Sequence, residues 1–326
     1  MRRRAFLLGI AGAALACAFD AGAAQPEKVH QLGFLGATSR AEYTVFIEAM
    51  EEGLRQRGYA NGRNLVIHYR WAEGRYERLP DLAAELVRLP VEIILTHGGP
   101  GARAAKTATE TIPIIGIVVG DLVAGGLVTS LARPGGNLTG QTFFFPEVNA
   151  KRLELIKEAV PQASRVAVLV NAANDARHAA LAALQQAAQT LQLELLPTEV
   201  KTRDDLAESF EAMTRQRAQA LVVTDDAFLI SNAEYISELA AKDRLPMIDG
   251  PYGTKPQGFM TYGADLRDLW FRSAVLIEQV LKGAKPADLP VQQATKFDLV
   301  INLQTARALG ITVPPALLAR ADEVIE

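Results

Sequence analysis

The chain has 326 residues, with 34 lysines and arginines against 37 aspartates and glutamates, for a formal charge of -3. That near-neutral balance, without a basic tract or aromatic-basic interleaving, excludes the charge pattern of a nucleic-acid partner. No apolar run beyond the amino terminus approaches the length needed to cross a bilayer, and roughly 300 residues of ordinary composition suffice for two domains.

The chain opens on a targeting pattern. Arg2-Arg3-Arg4 is basic, Ala5 to Ala18 is apolar and uncharged, and Ala21-Gly22-Ala23-Ala24 supplies small residues for cleavage after Ala23 or Ala24. Residues 1–24 are therefore expected to be a signal peptide, and the product is expected in the periplasm. Arg3-Arg4-Ala5-Phe6-Leu7 also fits twin-arginine export, and the general secretory route stays open beside it. Cys17, the single cysteine, lies in this segment. Ala14-Leu15-Ala16-Cys17 makes a poor lipid-attachment site, because its large aliphatic stands one place too late. Once the segment is removed, no thiol remains for a disulfide or a thiolate metal site.

Gln31 to Gly36 reads as a strand, followed by the turn Ala37-Thr38-Ser39. Ser39-Arg40-Ala41-Glu42 has capping-box spacing, and Phe46, Met50, Gly53 and Leu54 recur at helical spacing behind it. A second strand is expected over Asn64–Tyr69 and a helix over Leu79–Arg88, with Leu82, Leu86 and Leu89 inward. Val91 to Thr96 is a third strand, ending in His97-Gly98-Gly99-Pro100-Gly101 ahead of an alanine-rich helix, Ala102–Thr109. Ile112 to Val119 is apolar almost throughout and ends in Gly120-Asp121. Apolar strands alternating with helices predict a parallel sheet covered on both faces.

Ala132-Arg133-Pro134-Gly135-Gly136-Asn137-Leu138-Thr139-Gly140 cannot form regular structure, and is expected to be the first crossing between two lobes. Beyond it the pattern repeats. Arg165 to Asn171 is a strand, Ala218 to Thr224 leads through a helix to Leu245–Asp249, and Gly258 to Gly263 reads as a last strand. An amphipathic helix, Asp265–Lys282, ends at Gly283-Ala284-Lys285-Pro286, and Leu303 to Leu309 forms a closing helix. The expected architecture is α/β: two Rossmann-like lobes with parallel sheets joined by a three-segment hinge, with further crossings near Gly263 and Lys285. The division is residues 25–140 and 264–284 in lobe one, and 141–263 and 285–326 in lobe two.

Ligands of open parallel sheets sit beyond the carboxyl ends of the strands. That rule selects Ala37, Thr38, Ser39, Tyr43, Gly98, Gly99, Gly120 and Asp121 from lobe one. Lobe two contributes Phe143, Phe144, Asn171, Asn174, Asp225, Asp226, Tyr252 and Tyr262. Hydroxyls, glycine amides and helix amino termini suit a carboxylate, while the acidic pair suits an ammonium and the rings an apolar body. Plainer roles stand beside these: Ser39, Asn174 and Asp225 as helix caps, Asp121 as a turn brace, and the three adjacent phenylalanines as core. Gly-x-Ser-x-Gly, Walker and Gly-x-Gly-x-x-Gly motifs are absent. His30, His68, His97 and His178 are scattered without metal-ligand spacing. Only His97 stands at a strand end, where a turn or edge role fits better than that of a base. No catalytic residue, metal or cofactor is implied.

Gly120-Asp121-Leu122-Val123, the run from Ser130 through Gly140, Lys151-Arg152-Leu153-Glu154 and Leu281 through Val291 stand with Lys296-Phe297, Asn302 and Ala308-Leu309-Gly310. In this combination, over nearly all of the chain after residue 24, the sequence resembles the substrate-binding proteins of ATP-binding-cassette importers. More narrowly, it resembles the family that includes tryptophan- and tyrosine-binding members. The resemblance implies a type I periplasmic binding protein fold and a hinge that closes over a small solute. It also implies partners in a membrane permease and its ATPase, the receptor itself being a monomer. This chain has Leu122 where the family often has proline, and Asp225-Asp226 where it often has aspartate followed by asparagine. A two-lobed α/β enzyme acting on a small acid, or an exported receptor for a membrane sensor, are the competing functions.

Overall fold

The computed structural model describes residues 28–143, 145–252 and 258–326. The expected signal peptide, Cys17 and Phe144 lie outside the described residues. The chain begins with β1 (His30–Gly36), α1 (Thr44–Gln56), β2 (Leu65–Trp71), α2 (Leu79–Val87) and β3 (Ile93–His97). It continues through α3 (Gly98–Ala108), β4 (Ile114–Val119) and β5 (Leu138–Thr142). The second run is α4 (Phe145–Ala159), β6 (Arg165–Asn171), α5 (Arg177–Leu191), β7 (Glu194–Val200) and α6 (Arg203–Arg215). Then come β8 (Ala220–Val223), α7 (Ala227–Ser231), α8 (Ala233–Lys242), β9 (Met247–Asp249), β10 (Met260–Ala264) and α9 (Leu266–Leu281). β11 (Gln292–Gln293), β12 (Phe297–Asn302), α10 (Leu303–Leu309), α11 (Pro315–Leu318) and β13 (Glu323–Ile325) complete it.

Two sheets result. The first runs β11-β5-β4-β3-β1-β2 and the second β13-β12-β10-β9-β8-β6-β7. All pairings are parallel except β10 with β12. Within each sheet the first five strands keep one order, β2-β1-β3-β4-β5 against β7-β6-β8-β9-β10. The repeat expected from spacing is therefore present in the topology. In both lobes the order reverses beside the first strand, which opens a crevice at the ends of β1 and β3, and again at the ends of β6 and β8.

The central strands are buried on both faces, as their unbroken apolar runs require: Leu32, Phe34, Ile94, Ile115, Val168 and Val222 are all fully covered. α9 returns to the first lobe, where it packs on α1 and β4. Trp270 on α9 stacks on Phe46 of α1, their ring centroids 5.6 Å apart.

The glycine-rich stretch is not the crossing itself. Its last residues belong to β5, so the chain leaves the first sheet after Thr142. Gly140 lies so close to the backbone of Gly116 in β4 that a side chain would collide there. Asn137 ties the start of β5 to the turn between α3 and β4 by donating through Nδ2 to the carbonyls of Thr109 and Ile112, both at 2.9 Å. A stretch that seemed too irregular for a strand is thus a turn feeding β5, which pairs with β4 on one side and β11 on the other. Gln141 and Thr142, and likewise Gln292 and Gln293, fall on the lobe-two side of the sequence division but pair with each other in the first sheet.

Candidate functional site

Between the two sheets lies a cavity lined by residues of both lobes. Its first-lobe wall is aromatic. Ala37 follows β1, Tyr43 and Phe46 come from the start of α1, and His97 ends β3. Trp270 reaches in from α9. The His97 ring lies 4.4 Å from Tyr43 and 5.5 Å from Trp270, centroid to centroid. Burial holds His97 down to about 3, so the imidazole is neutral. Its Nε2 accepts the amide of Ala37 at 3.2 Å, which assigns the proton to Nδ1. His97 is neither an edge residue nor a base; it is one panel of an apolar wall.

Gly98, Gly99 and Pro100 form the first turn of α3 and line the same cavity. The helix starts earlier than its alanine-rich part predicted, and its first residue, Gly98, takes φ of +68°, in the left-handed region that favours glycine. Backbone amides of a first helical turn have no partner within their own helix, so this end of α3 presents donors and the positive end of a dipole to the cavity.

The second-lobe wall is polar and centres on the end of β8. Asp225 and Asp226 both line the cavity, but their environments differ. Asp225 is paired with Arg152 of α4: Nη2 donates to Oδ1 at 2.9 Å, and Nη1 lies 2.8 Å from Oδ2. Arg152 is itself 1% exposed and donates to the carbonyls of Tyr262 and Val223, tying α4 to β8 and β10. Burial alone would lower the guanidinium, but the charge and hydrogen bond of Asp225, with Tyr252 and Asp249 adding to them, together raise it.

Asp226 has no cation within ion-pair distance among the described residues. Asn171 Nδ2 donates to Oδ1 at 2.8 Å, Asn174 Nδ2 to Oδ2 at 2.9 Å, and the Phe228 amide to Oδ1 at 2.9 Å as the cap of α7. The Tyr76 hydroxyl lies 3.1 Å from both oxygens. Burial pushes this carboxyl up, and these four neutral donors oppose the shift only partly. Tyr43 and Tyr76 are pushed well above the usual phenol range by burial, with the Asp226 charge adding to it.

Of the residues expected from sequence, Ala37, Tyr43, Gly98, Gly99, Gly120, Phe143, Asn174, Asp225 and Asp226 meet around the cavity. Phe143 is turned edge-on to Phe145, their centroids 5.7 Å apart. Thr38 is buried, its hydroxyl unpartnered among the described residues, but it does not line the cavity. Ser39 is half-buried and exchanges backbone-to-side-chain bonds with Glu42, a turn ahead of α1. Asp121 braces its turn by accepting the amides of Val123 and Ala124, and lies in the outer cleft instead. Asn171 sits behind Asp226 and orients it. Tyr252 is buried beside the Arg152–Asp225 pair. Tyr262 stacks on Phe297 at 6.3 Å. Neither tyrosine lines the cavity: Tyr262 is on β10, two strands from β8, and Tyr252 follows β9. Phe46, Tyr76, His97 and Trp270 line the cavity without having been selected as ligand contacts. Phe46 and Trp270 stand inside helices and Tyr76 in a short turn, where a rule based on strand ends does not look; His97 stands at a strand end but was read as a turn or edge residue.

The family model for ABC transporter substrate binding protein matches residues 41–325. A tyrosine-binding protein of Clostridioides difficile (strain R20291) is 28% identical over 267 residues, covering 82% of this chain and 75% of that protein. Among solved structures, the ABC domain of Streptococcus pneumoniae in complex with L-Trp matches with a TM-score of 0.83 at 26% identity, over 91% of this chain and all of that one. A conserved domain protein of Vibrio cholerae O1 biovar eltor matches with a TM-score of 0.84 at the same identity and coverage. No helix among the described residues is long and apolar enough to cross a membrane. With two like-ordered sheets enclosing a cavity, and a family match running almost from end to end, the chain belongs to the ABC transporter substrate-binding protein family.

Proposed function

We propose that this protein captures an α-amino acid with an aromatic or large apolar side chain and delivers it to a membrane permease. The observation that carries this reading is Asp226: a buried carboxylate on the cavity wall, surrounded by neutral donors and without a cation in ion-pair distance among the described residues. An ammonium supplies the missing charge, and a charge-assisted bond there is worth about 1.5–3 kcal/mol. Across the cavity, the first turn of α3 offers amides to a carboxylate. Tyr43, Phe46, Trp270 and Phe143 enclose the body between these two poles. The Trp- and Tyr-binding relatives support the same class of solute. Export by residues 1–24, action as a monomer and release of the solute unchanged belong to this reading.

Calorimetry against L-tryptophan, L-tyrosine, tryptamine and indole-3-propionate tests it. At least one amino acid should bind, and removing either its ammonium or its carboxylate should weaken binding roughly ten- to a hundredfold. If both truncated compounds bind as tightly as the amino acid, the two-pole assignment is wrong.

A further inference from the structure

Tyr76 belongs to the first lobe, in a one-turn 3-10 helix between β2 and α2, yet its hydroxyl is bonded to the second lobe. The hydroxyl lies 3.1 Å from both Asp226 oxygens and accepts the Phe228 amide at 3.1 Å. Among the described residues, these are the side-chain hydrogen bonds that join the lobes away from their crossings. The residue is 8% exposed, lies in an apolar cluster that spans both lobes, and is carried on a short helix that packs on α2 of the first lobe. Tyr76 also lines both the inner cavity and the outer cleft, which places it at the mouth between them.

We propose that Tyr76 is the closure latch of this receptor, bonding across the mouth to the same carboxylate that faces the solute. Rotating the lobes apart must break this bond, because its two partners are carried by different lobes. Closing without a solute buries Asp226 with neutral partners only, and closing over a cationic group gives it a counter-charge. The latch therefore engages most favourably when the site is filled, and Tyr76 slows escape of a solute it need not touch. That coupling rests on the amino acid reading above, whereas the latch itself does not.

The conservative variant is Tyr76→Phe, which keeps the ring and removes the hydroxyl. Spin labels at Asp81→Cys and Asp204→Cys, two exposed positions near Pro80 and Lys201 on opposite walls of the outer cleft, report the interlobe distance once Cys17 is replaced by serine. Distances are measured for both proteins alone and with L-tryptophan, and surface plasmon resonance follows the binding kinetics. The variant should shift toward the longer distance even without solute. It should also release L-tryptophan about tenfold faster, as expected for losing one bond to a charged group, with an association rate within about twofold of the parent. A residue that only packs would leave the distance distribution unchanged, and that result overturns the latch. If the parent fails to bind L-tryptophan, the solute class falls, and the ligand-free distances alone decide the latch.

Discussion

Two adjacent aspartates at the end of β8 do different work, and the difference lies in their partners. Asp225 completes a buried ion pair with Arg152, and removing one member of such a pair strands the other. Asp225→Ala should therefore cost about 3–5 kcal/mol of stability, visible as an early melting transition. Asp226→Asn keeps the shape and an oxygen for the α7 cap but removes the charge. It should weaken amino acid binding roughly ten- to a hundredfold while the melting temperature moves little. Calorimetry and thermal melting on both variants separate the roles. Equal loss of affinity, or an unstable Asp226→Asn, would contradict the assignment. Sequence singled out this pair but not its division of labour, because Arg152 lies 73 residues from Asp225.

At the scale of elements, the site is assembled from helix starts and strand ends that face one another only because both sheets share one strand order. β1 to β4, β6, β8 to β10, α9 and α10 were legible from apolar runs, periodicity and the glycines behind them, whereas β5, β7 and the last three strands were not read. Tyr252 and Tyr262 were drawn toward the site by their closeness to a strand in sequence. The sheet order moves that strand away from the crevice, and no local pattern encodes strand order. Tyr76 and Trp270 were missed for the converse reason: long-range packing alone brings them to the cavity. The start of α3 was placed late because glycine-rich chain reads as loop. Gly98 is nonetheless required at its φ of +68°. Gly98→Ala should cost about 1–2 kcal/mol through backbone strain alone, since its Cβ meets only Pro100 at 3.9 Å. It should also weaken binding of the carboxylate more than of tryptamine, which calorimetry reads directly. Unchanged stability would mean that the turn is not held as described.

Across the whole molecule, stability depends on pH through groups that the fold buries. Asp249, at the end of β9, is pushed up to about 7, by burial first and the Asp225 charge second, with Arg152 opposing. Between its ordinary 3.8 and about 7 the folded protein holds the proton that the unfolded chain has lost, so this group's contribution to stability falls as pH rises through that window. Asp249→Asn removes that dependence. Its stability relative to the parent should rise by up to about 1.4 kcal/mol per pH unit, measured by urea unfolding at several pH values between those limits. Parallel profiles for the two proteins would show that Asp249 does not titrate there.

The central claim is that the cavity between the lobes holds a zwitterionic solute with an aromatic or large apolar body. Native mass spectrometry of protein taken from its own host without dialysis reads the bound molecule directly. The account predicts an adduct with the mass of an aromatic or large apolar α-amino acid, lost in Asp226→Asn and retained more weakly in Tyr76→Phe. An adduct with the mass of a sugar, a phosphate or a simple carboxylic acid, held equally by the parent and Asp226→Asn, would contradict it.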